Sequence, residues 1–169
     1  VDADGNAFSW ISTEHNLDAY FFLHELGRLS GDAGTTAAAD ALEAAILANL
    51  WTGSHFNQGF QDDLVMLDVQ ALGGLFLLAT GRRAQAEGLR TFIEDTLSVD
   101  VNVGGQNVHG YAPYRDDNFI WTEGTMMVAL FDRRLGDFTS ADALEQGVKK
   151  FQDAIGGLGY ASSRSQTTA

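Results

Sequence analysis

Three stretches of the chain lie on one another without a gap: Asp18-AYFFLHELGRLS-Gly31, Asp68-VQALGGLFLLAT-Gly81 and Glu123-GTMMVALFDRRL-Gly136. Each runs thirteen positions from an acidic residue to a glycine through a mostly apolar run, at offsets of 50 and 55 residues. Repetition at this period marks a supersecondary unit that buries its apolar face against its neighbours. Glycine accepts the left-handed backbone that ends a helix, so each stretch reads as a helix with its stop signal. A polar corner follows each glycine, and then a second, half-polar stretch. Leu42, Ile46 and Leu50 mark the stripe of the first, Ala86, Leu89, Ile93 and Leu97 that of the second, and Leu144, Val148, Phe151 and Ile155 that of the third.

The expected architecture is therefore all-α: one domain over residues 1–169, made of three tandem helical hairpins at about 12–51, 64–98 and 119–155. Strand signals are confined to the brief alternation of Val99, Val101 and Val103. An apolar helix paired with a half-polar one fits two layers, inner and outer; a simple α-solenoid fits the same periodicity. Two long links, Thr52 to Asp63 and Asp100 to Asn118, precede the second and third apolar helices and read as functional loops at one end of the molecule.

Composition narrows the partners. The 169 residues carry 23 acidic against 10 basic side chains, a net charge of −13, and only Lys149 and Lys150 as lysines. That field repels phosphate backbones and anionic lipid, so nucleic acid and membrane surfaces are poor partners, whereas neutral sugars are not excluded. Acidity with scarce lysine fits an extracellular or periplasmic setting. The chain has no cysteine, which excludes disulfides, thiolate zinc sites and thiol catalysis. Val1-Asp-Ala-Asp-Gly5 lacks the features of a signal peptide, and a start at Val rather than Met fits a mature form or a fragment. The apolar run Leu64 to Ala79 spans sixteen residues interrupted by Asp68 and Gln70, too short and too polar to cross a membrane.

Trp10-Ile-Ser-Thr-Glu-His-Asn-Leu-Asp18, Leu67-Asp-Val-Gln-Ala-Leu72, Trp121-Thr-Glu-Gly-Thr125 and Gly157-Leu-Gly-Tyr-Ala-Ser162 together resemble the six-hairpin, (α/α)6-barrel glycosidase superfamily. The likeness is to bacterial members with TEHN-x-D and W-T-E-G-T signatures and covers roughly residues 8 to 163. It implies an α/α toroid, an active-site cleft at the N-terminal end of the inner helices, catalytic Asp or Glu, and a groove lined with aromatics. The chain departs from that plan by having three hairpins instead of six. It is then half of a toroid, a chain whose copies complete the ring, or an open stack. An open half would expose the apolar run Leu64 to Ala79 along an edge, and the expected partners are carbohydrate together with the remainder of the barrel or a second copy.

Glu14 and Asp18 are four residues apart, on one helix face with about 5–6 Å between Cβ atoms. Ser12 and Thr13 precede them as cap candidates, so Glu14 fits capping as well as catalysis. Asp18, Asp68 and Glu123 occupy equivalent positions beside apolar runs, where a carboxylate is costly unless paired, hydrogen-bonded or near water. Converging, they would push one another's proton affinities apart, the arrangement a glycosidase needs for an acid and a base or nucleophile. A shared capping device fits the repeated position equally. Asp18 and Glu123, with Glu14 and Asp68, are the catalytic candidates. His15, Trp10, Tyr111, Tyr114, Trp121 and Gln70 are the substrate-binding candidates, the aromatics by stacking on pyranose rings. Asp62, Asp63, Asp116 and Asp117 read as loop caps, a flexible acid or base, or weak cation ligands. His15, His24, His55 and His109 lack metal spacing, so no metal or cofactor is expected. A terpene cyclase shares the double ring, but the third acid of its metal motif is missing after Asp62-Asp63 and Asp116-Asp117. The alternative to an enzyme is a non-catalytic glycan-binding or assembly module.

Overall fold

A computed structural model of the protein describes residues 10–162; the Val1 to Gly5 stretch lies outside them. The described chain is mostly helical, with one small antiparallel sheet. It divides into two compact units, residues 10–65 and 66–162. No helix among the described residues is long and apolar enough to cross a membrane.

In the first unit α1 (Thr13–Ser30) packs on α2 (Ala33–Asn49). The Ser12 side chain starts α1 by accepting the His15 N–H, and Asp32 starts α2 by accepting the Thr35 N–H at 2.6 Å. Of the α2 stripe, Ile46 and Leu50 are buried and Leu42 half-buried. The link after Leu50 is not structureless. It returns to the start of α1, where the Thr13 N–H donates to Gln58 O and the Phe60 N–H to Ile11 O, both at 2.9 Å.

The second unit holds α3 (Leu67–Ala79), α4 (Arg83–Leu97), β1 (Ser98–Val103), β2 (Gln106–Tyr111), α5 (Thr122–Leu135), α6 (Phe138–Val148) and a 3-10 turn at Lys149–Phe151. Helix α3 packs on both α4 and α5, and α6 covers α5 and β2. All four α4 stripe residues, Ala86, Leu89, Ile93 and Leu97, are buried. The three repeat glycines, Gly31, Gly81 and Gly136, turn the chain with φ of 69, 77 and 89°.

Three sequence expectations are corrected. The link after Asp100 contains a β-hairpin in which Val101 faces Val108 and Asp100 faces His109. Gly104 and Gly105, both at positive φ, supply the two-residue turn that the right-handed twist of paired strands favours. The last stripe ends early: α6 stops at Val148, and Ile155 is exposed. The Asp153 side chain accepts the N–H groups of Ile155 and Gly157, at 3.0 and 2.8 Å, and so stabilises a turn there in competition with helix. Helix α3, expected along an open edge, is the most buried of the first helices, and α1 carries the exposed apolar edge, at Phe22, Leu26 and Leu29.

The centre of the second unit is the α3–α5 contact. Leu67 meets Gly124, where a Cβ would lie 2.6 Å from Leu67 Cδ2, and Gly74 lies against the Phe131 ring, which a Cβ would strike. Both pairs sit one heptad apart on each helix, so α3 and α5 run in the same direction and start at the same end. We expect Gly74→Leu to lower unfolding stability by about 1–3 kcal/mol through overpacking. Urea denaturation measures it, with partial recovery on adding Phe131→Ala.

Candidate functional site

The start of each repeat helix is held by packing and hydrogen bonds made by residues other than the repeat acid. In the first unit Thr13 Oγ1 donates to Asn57 O, Asn16 Nδ2 donates to Ser12 O, and Leu17 is buried. Asp18 and His15 are exposed and Glu14 is half-buried. In the W-T-E-G-T stretch the Trp121 N–H donates to Tyr111 O at 2.8 Å. Thr125 Oγ1 accepts the Tyr111 N–H at 3.1 Å, and Gly124 makes room for Leu67 and the Trp121 ring. Glu123 alone of those five residues is exposed. At the α3 start the Leu67 N–H donates to Pro113 O, and buried Gln70 turns its Nε2 back to Met66 O.

The acids then head matching stripes. Stepping four, three and four residues from each acid gives Asp18, Phe22, Glu25, Leu29; Asp68, Leu72, Leu75, Ala79; and Glu123, Met127, Leu130, Arg134. No residue of the twelve is buried, whereas the positions beside them on α3 and α5 mostly are. A helix face reads out at this spacing, so Asp68 and Glu123 open the more accessible side of α3 and α5, whereas Asp18, the sixth residue of α1, lies a turn inside that side, behind Glu14.

Asp68 and Glu123 lie in the first turns of two parallel, contacting helices of one unit. Their surroundings differ. Burial pushes the Asp68 carboxyl above the usual aspartate range, opposed by the Val69 N–H that it accepts at 2.8 Å and by its own N–H. Glu123 stands in water. Beside them two buried polar atoms, Trp121 Nε1 and Thr122 Oγ1, have no hydrogen-bond partner among the described residues. Asp18 belongs to the other unit.

The aromatic candidates separate. Trp10 is exposed and its Nε1 donates to Asp62 Oδ2 at 3.1 Å. A cavity of about 250 Å³ lies between Ile11, Phe60 and α2, and Trp10 is not among its lining residues. Tyr114 is exposed in its loop, and Trp121 is buried with its ring 6.3 Å from that of Tyr160. Tyr111, expected in a loop and open to ligand, is instead fully buried in β2.

The Tyr111 phenol belongs to a network that no sequence spacing announced. Arg90 on α4 makes a bidentate pair with Asp132 on α5, Nε to Oδ1 at 2.5 Å and Nη2 to Oδ2 at 3.1 Å. Its Nη2 also donates to the Tyr111 hydroxyl at 2.7 Å, which in turn donates to Glu94 Oε2 at 2.7 Å. His109 sits between two carboxylates, with Nδ1 3.2 Å from Asp100 and Nε2 3.5 Å from Glu94. Arg90, Glu94, His109 and Tyr111 line a cleft of about 320 Å³ closed by Ser140 and Leu144 of α6. Burial lifts the Asp132 carboxyl against the pull of Arg90. Burial also lifts Glu94, but the hydrogen bonds from Tyr111 and Arg90 outweigh it and hold that carboxyl low. Among the described residues no group of three His, Asp or Glu is placed to hold a metal.

No known family model matches the chain, and no curated protein matches it.

Two outcomes follow from the network. Arg90→Met leaves the Asp132 carboxylate buried and unpaired, so we expect a loss of about 3–5 kcal/mol in urea unfolding, largely avoided in Arg90→Met/Asp132→Leu. The Tyr111 phenol is raised well above its ordinary value, chiefly by burial, with Arg90 opposing and Glu94 adding. A phenol raised in the fold stabilises fully below its ordinary pKa of about 10 and loses that stabilisation as pH rises beyond it. Wild type should therefore lose stability above about pH 10 more steeply than Tyr111→Phe, as read by thermal melts across pH.

Proposed function

We propose that this protein is a carbohydrate-active domain that hydrolyses glycosidic bonds with Asp68 and Glu123. In this reading the three helix pairs are hairpins of an (α/α) toroid, with α1, α3 and α5 as inner helices. One observation carries it. In the first turns of α3 and α5 the neighbouring residues are engaged in packing and hydrogen bonds, and Asp68 and Glu123 head the more accessible stripe of each helix.

Within the second unit the roles divide by environment. Asp68, raised by burial, holds a proton at higher pH than an ordinary aspartate and serves as the acid that protonates the leaving glycosidic oxygen. Glu123, in water, serves as the base that takes a proton from the attacking water, or as the nucleophile. The bond from the anomeric carbon to the leaving oxygen breaks, a bond to the water oxygen forms, and both products carry hydroxyls. Exposed Tyr114, in the same unit, is a surface for ring stacking.

The second reading, a glycan-binding or assembly module without turnover, is favoured by the exposed apolar residues of α1. It predicts sugar binding with no products.

On a panel of polysaccharides, reducing-end release should fall about 10²–10⁴-fold in Asp68→Asn and in Glu123→Gln. The acid must be protonated, so wild-type activity falls as pH rises through the raised Asp68 pKa, and Asp68→Asn removes that limb of the profile. Full activity in both variants would remove both roles.

A further inference from the structure

The cleft of about 320 Å³ between α4, β2 and α6 has no role in the glycosidic reading, yet its lining is chemically one-sided. Its strong donors are engaged within the fold. Arg90 donates through Nε and Nη2 to Asp132, through Nη2 to the Tyr111 hydroxyl and through Nη1 to Glu94 Oε2. The Tyr111 hydroxyl donates to the same Glu94 Oε2, and the Ser140 hydroxyl donates to Asp137 Oδ2 at 2.7 Å. Two acceptors remain. Asp100 faces His109 across the hairpin, 3.2 Å from Nδ1. An ionised carboxylate only accepts, so a neutral His109 carries its hydrogen on Nδ1 and turns the lone pair of Nε2 toward Glu94. Nε2 and Glu94 Oε1 are 3.5 Å apart, beyond a hydrogen bond, and neither makes one to another described residue. Water reaches both side chains, at 42 and 44% exposure. The field agrees with the acceptors. Asp132 matches the Arg90 charge, which leaves Glu94, Asp100 and Asp137 as a net negative rim. From α6 come Ala143 and Leu144, an apolar wall.

We propose that this cleft binds a small primary alkylammonium, whose –NH3+ group donates to Glu94 Oε1 and His109 Nε2 and whose chain lies against Ala143 and Leu144. Such a ligand supplies what each part of the lining lacks: N–H donors for two acceptors, positive charge for a negative rim, and methylenes for the α6 wall. An anion meets the wrong field. A neutral alcohol brings one donor for two acceptors and no charge. A zinc ion finds only two convergent ligand atoms, one fewer than an open zinc site supplies, because Asp100 stands at the other nitrogen of the imidazole. The inference rests on the cleft alone, and it stands whether or not Asp68 and Glu123 turn over sugar.

The test is a titration of the full chain, followed through the imidazole nitrogen resonances of His109 by NMR at about pH 8, where imidazole is neutral. Pentylammonium should shift them saturably, with a Kd of about 1–10 mM, the range expected for so small a ligand. Tetramethylammonium has the charge but no N–H, and pentanol has the chain but no charge; each should bind about tenfold more weakly or worse. Glu94→Gln removes the charge and should weaken pentylammonium about tenfold. Ala143→Trp fills the wall from an exposed position on α6 and leaves the Arg90 network untouched, so it reads the site even if Glu94→Gln disturbs the fold. It too should weaken pentylammonium about tenfold or more. No saturable shift up to about 50 mM overturns the proposal. Tetramethylammonium binding as tightly as pentylammonium overturns it as well, because charge attraction alone would then suffice. Unchanged affinity in a folded Glu94→Gln or in Ala143→Trp does the same, because the ligand would then sit elsewhere.

Discussion

Close packing of α3 against α5 is the constraint on which the second unit depends. Two glycines permit it, Gly74 under the Phe131 ring and Gly124 beneath Leu67. Glycine inside a helix costs about 1 kcal/mol relative to alanine, so two of them at a contact are retained only where the approach itself returns more. The return here is the full burial of Phe131, Leu67 and Leu77, and a fixed direction for both helices. Because the two contacts share one register, they also fix where each helix begins. The neighbourhood of the Asp68 and Glu123 turns is a consequence of that register.

The opposite end of α5 is held differently. Asp132 lies nine residues beyond Glu123, about 13 Å along the helix axis, and takes both arms of Arg90 from α4. A buried ion pair is weak evidence for stability, since taking both charges out of water costs nearly what their attraction returns. What it does supply is specificity of position. Arg90 has a fixed fork, and its remaining donors reach Tyr111 on β2 and Glu94 on α4. One guanidinium therefore orders a strand and two helices together. The β-hairpin is also held by the Tyr111 N–H on Thr125 and by the Trp121 N–H on Tyr111 O. Polar bonds thus register the sheet on α5 from both sides of the same tyrosine.

How much of this was legible follows from what each feature requires of the chain locally. The helix stops were legible because a left-handed corner demands glycine, and Gly31, Gly81 and Gly136 each occupy one. The α4 stripe was legible because its four apolar residues keep one helical period. The β-hairpin was present only as an alternation of three valines, and its partner strand, Gln106–Tyr111, carries Gly110 and polar residues that weaken the signal. The Arg90 network was not legible at all. Its members are separated by 4, 21 and 42 positions and meet only through tertiary packing. Tyr111 was misplaced for the same reason: a tyrosine among Gly, Asn and Asp looks like loop, and only the pairing of β2 with β1 buries it. The exposed edge moved from α3 to α1 because hydrophobicity says that a helix must be covered but not which neighbour covers it.

Equivalent positions in a repeat start out chemically alike, and packing then sets them apart. Asp68 and Glu123 occupy the same place in their segments, yet one is partly desolvated and the other is in water. Capping alone would not distinguish them, because a carboxylate in the first turn of a helix is stabilised by the helix dipole whether or not it is desolvated. Desolvation acts against that stabilisation by favouring the neutral form, so burying a first-turn acid works against its use as a cap. Asp68 does accept its neighbouring N–H, and burial still outweighs the benefit. An acid whose charge burial disfavours, in the turn next to an exposed one, is the contrast on which the proposed acid–base roles rest. For this reason the pair in the second unit, and not the three-fold equivalence as such, is the stronger ground for a reaction centre.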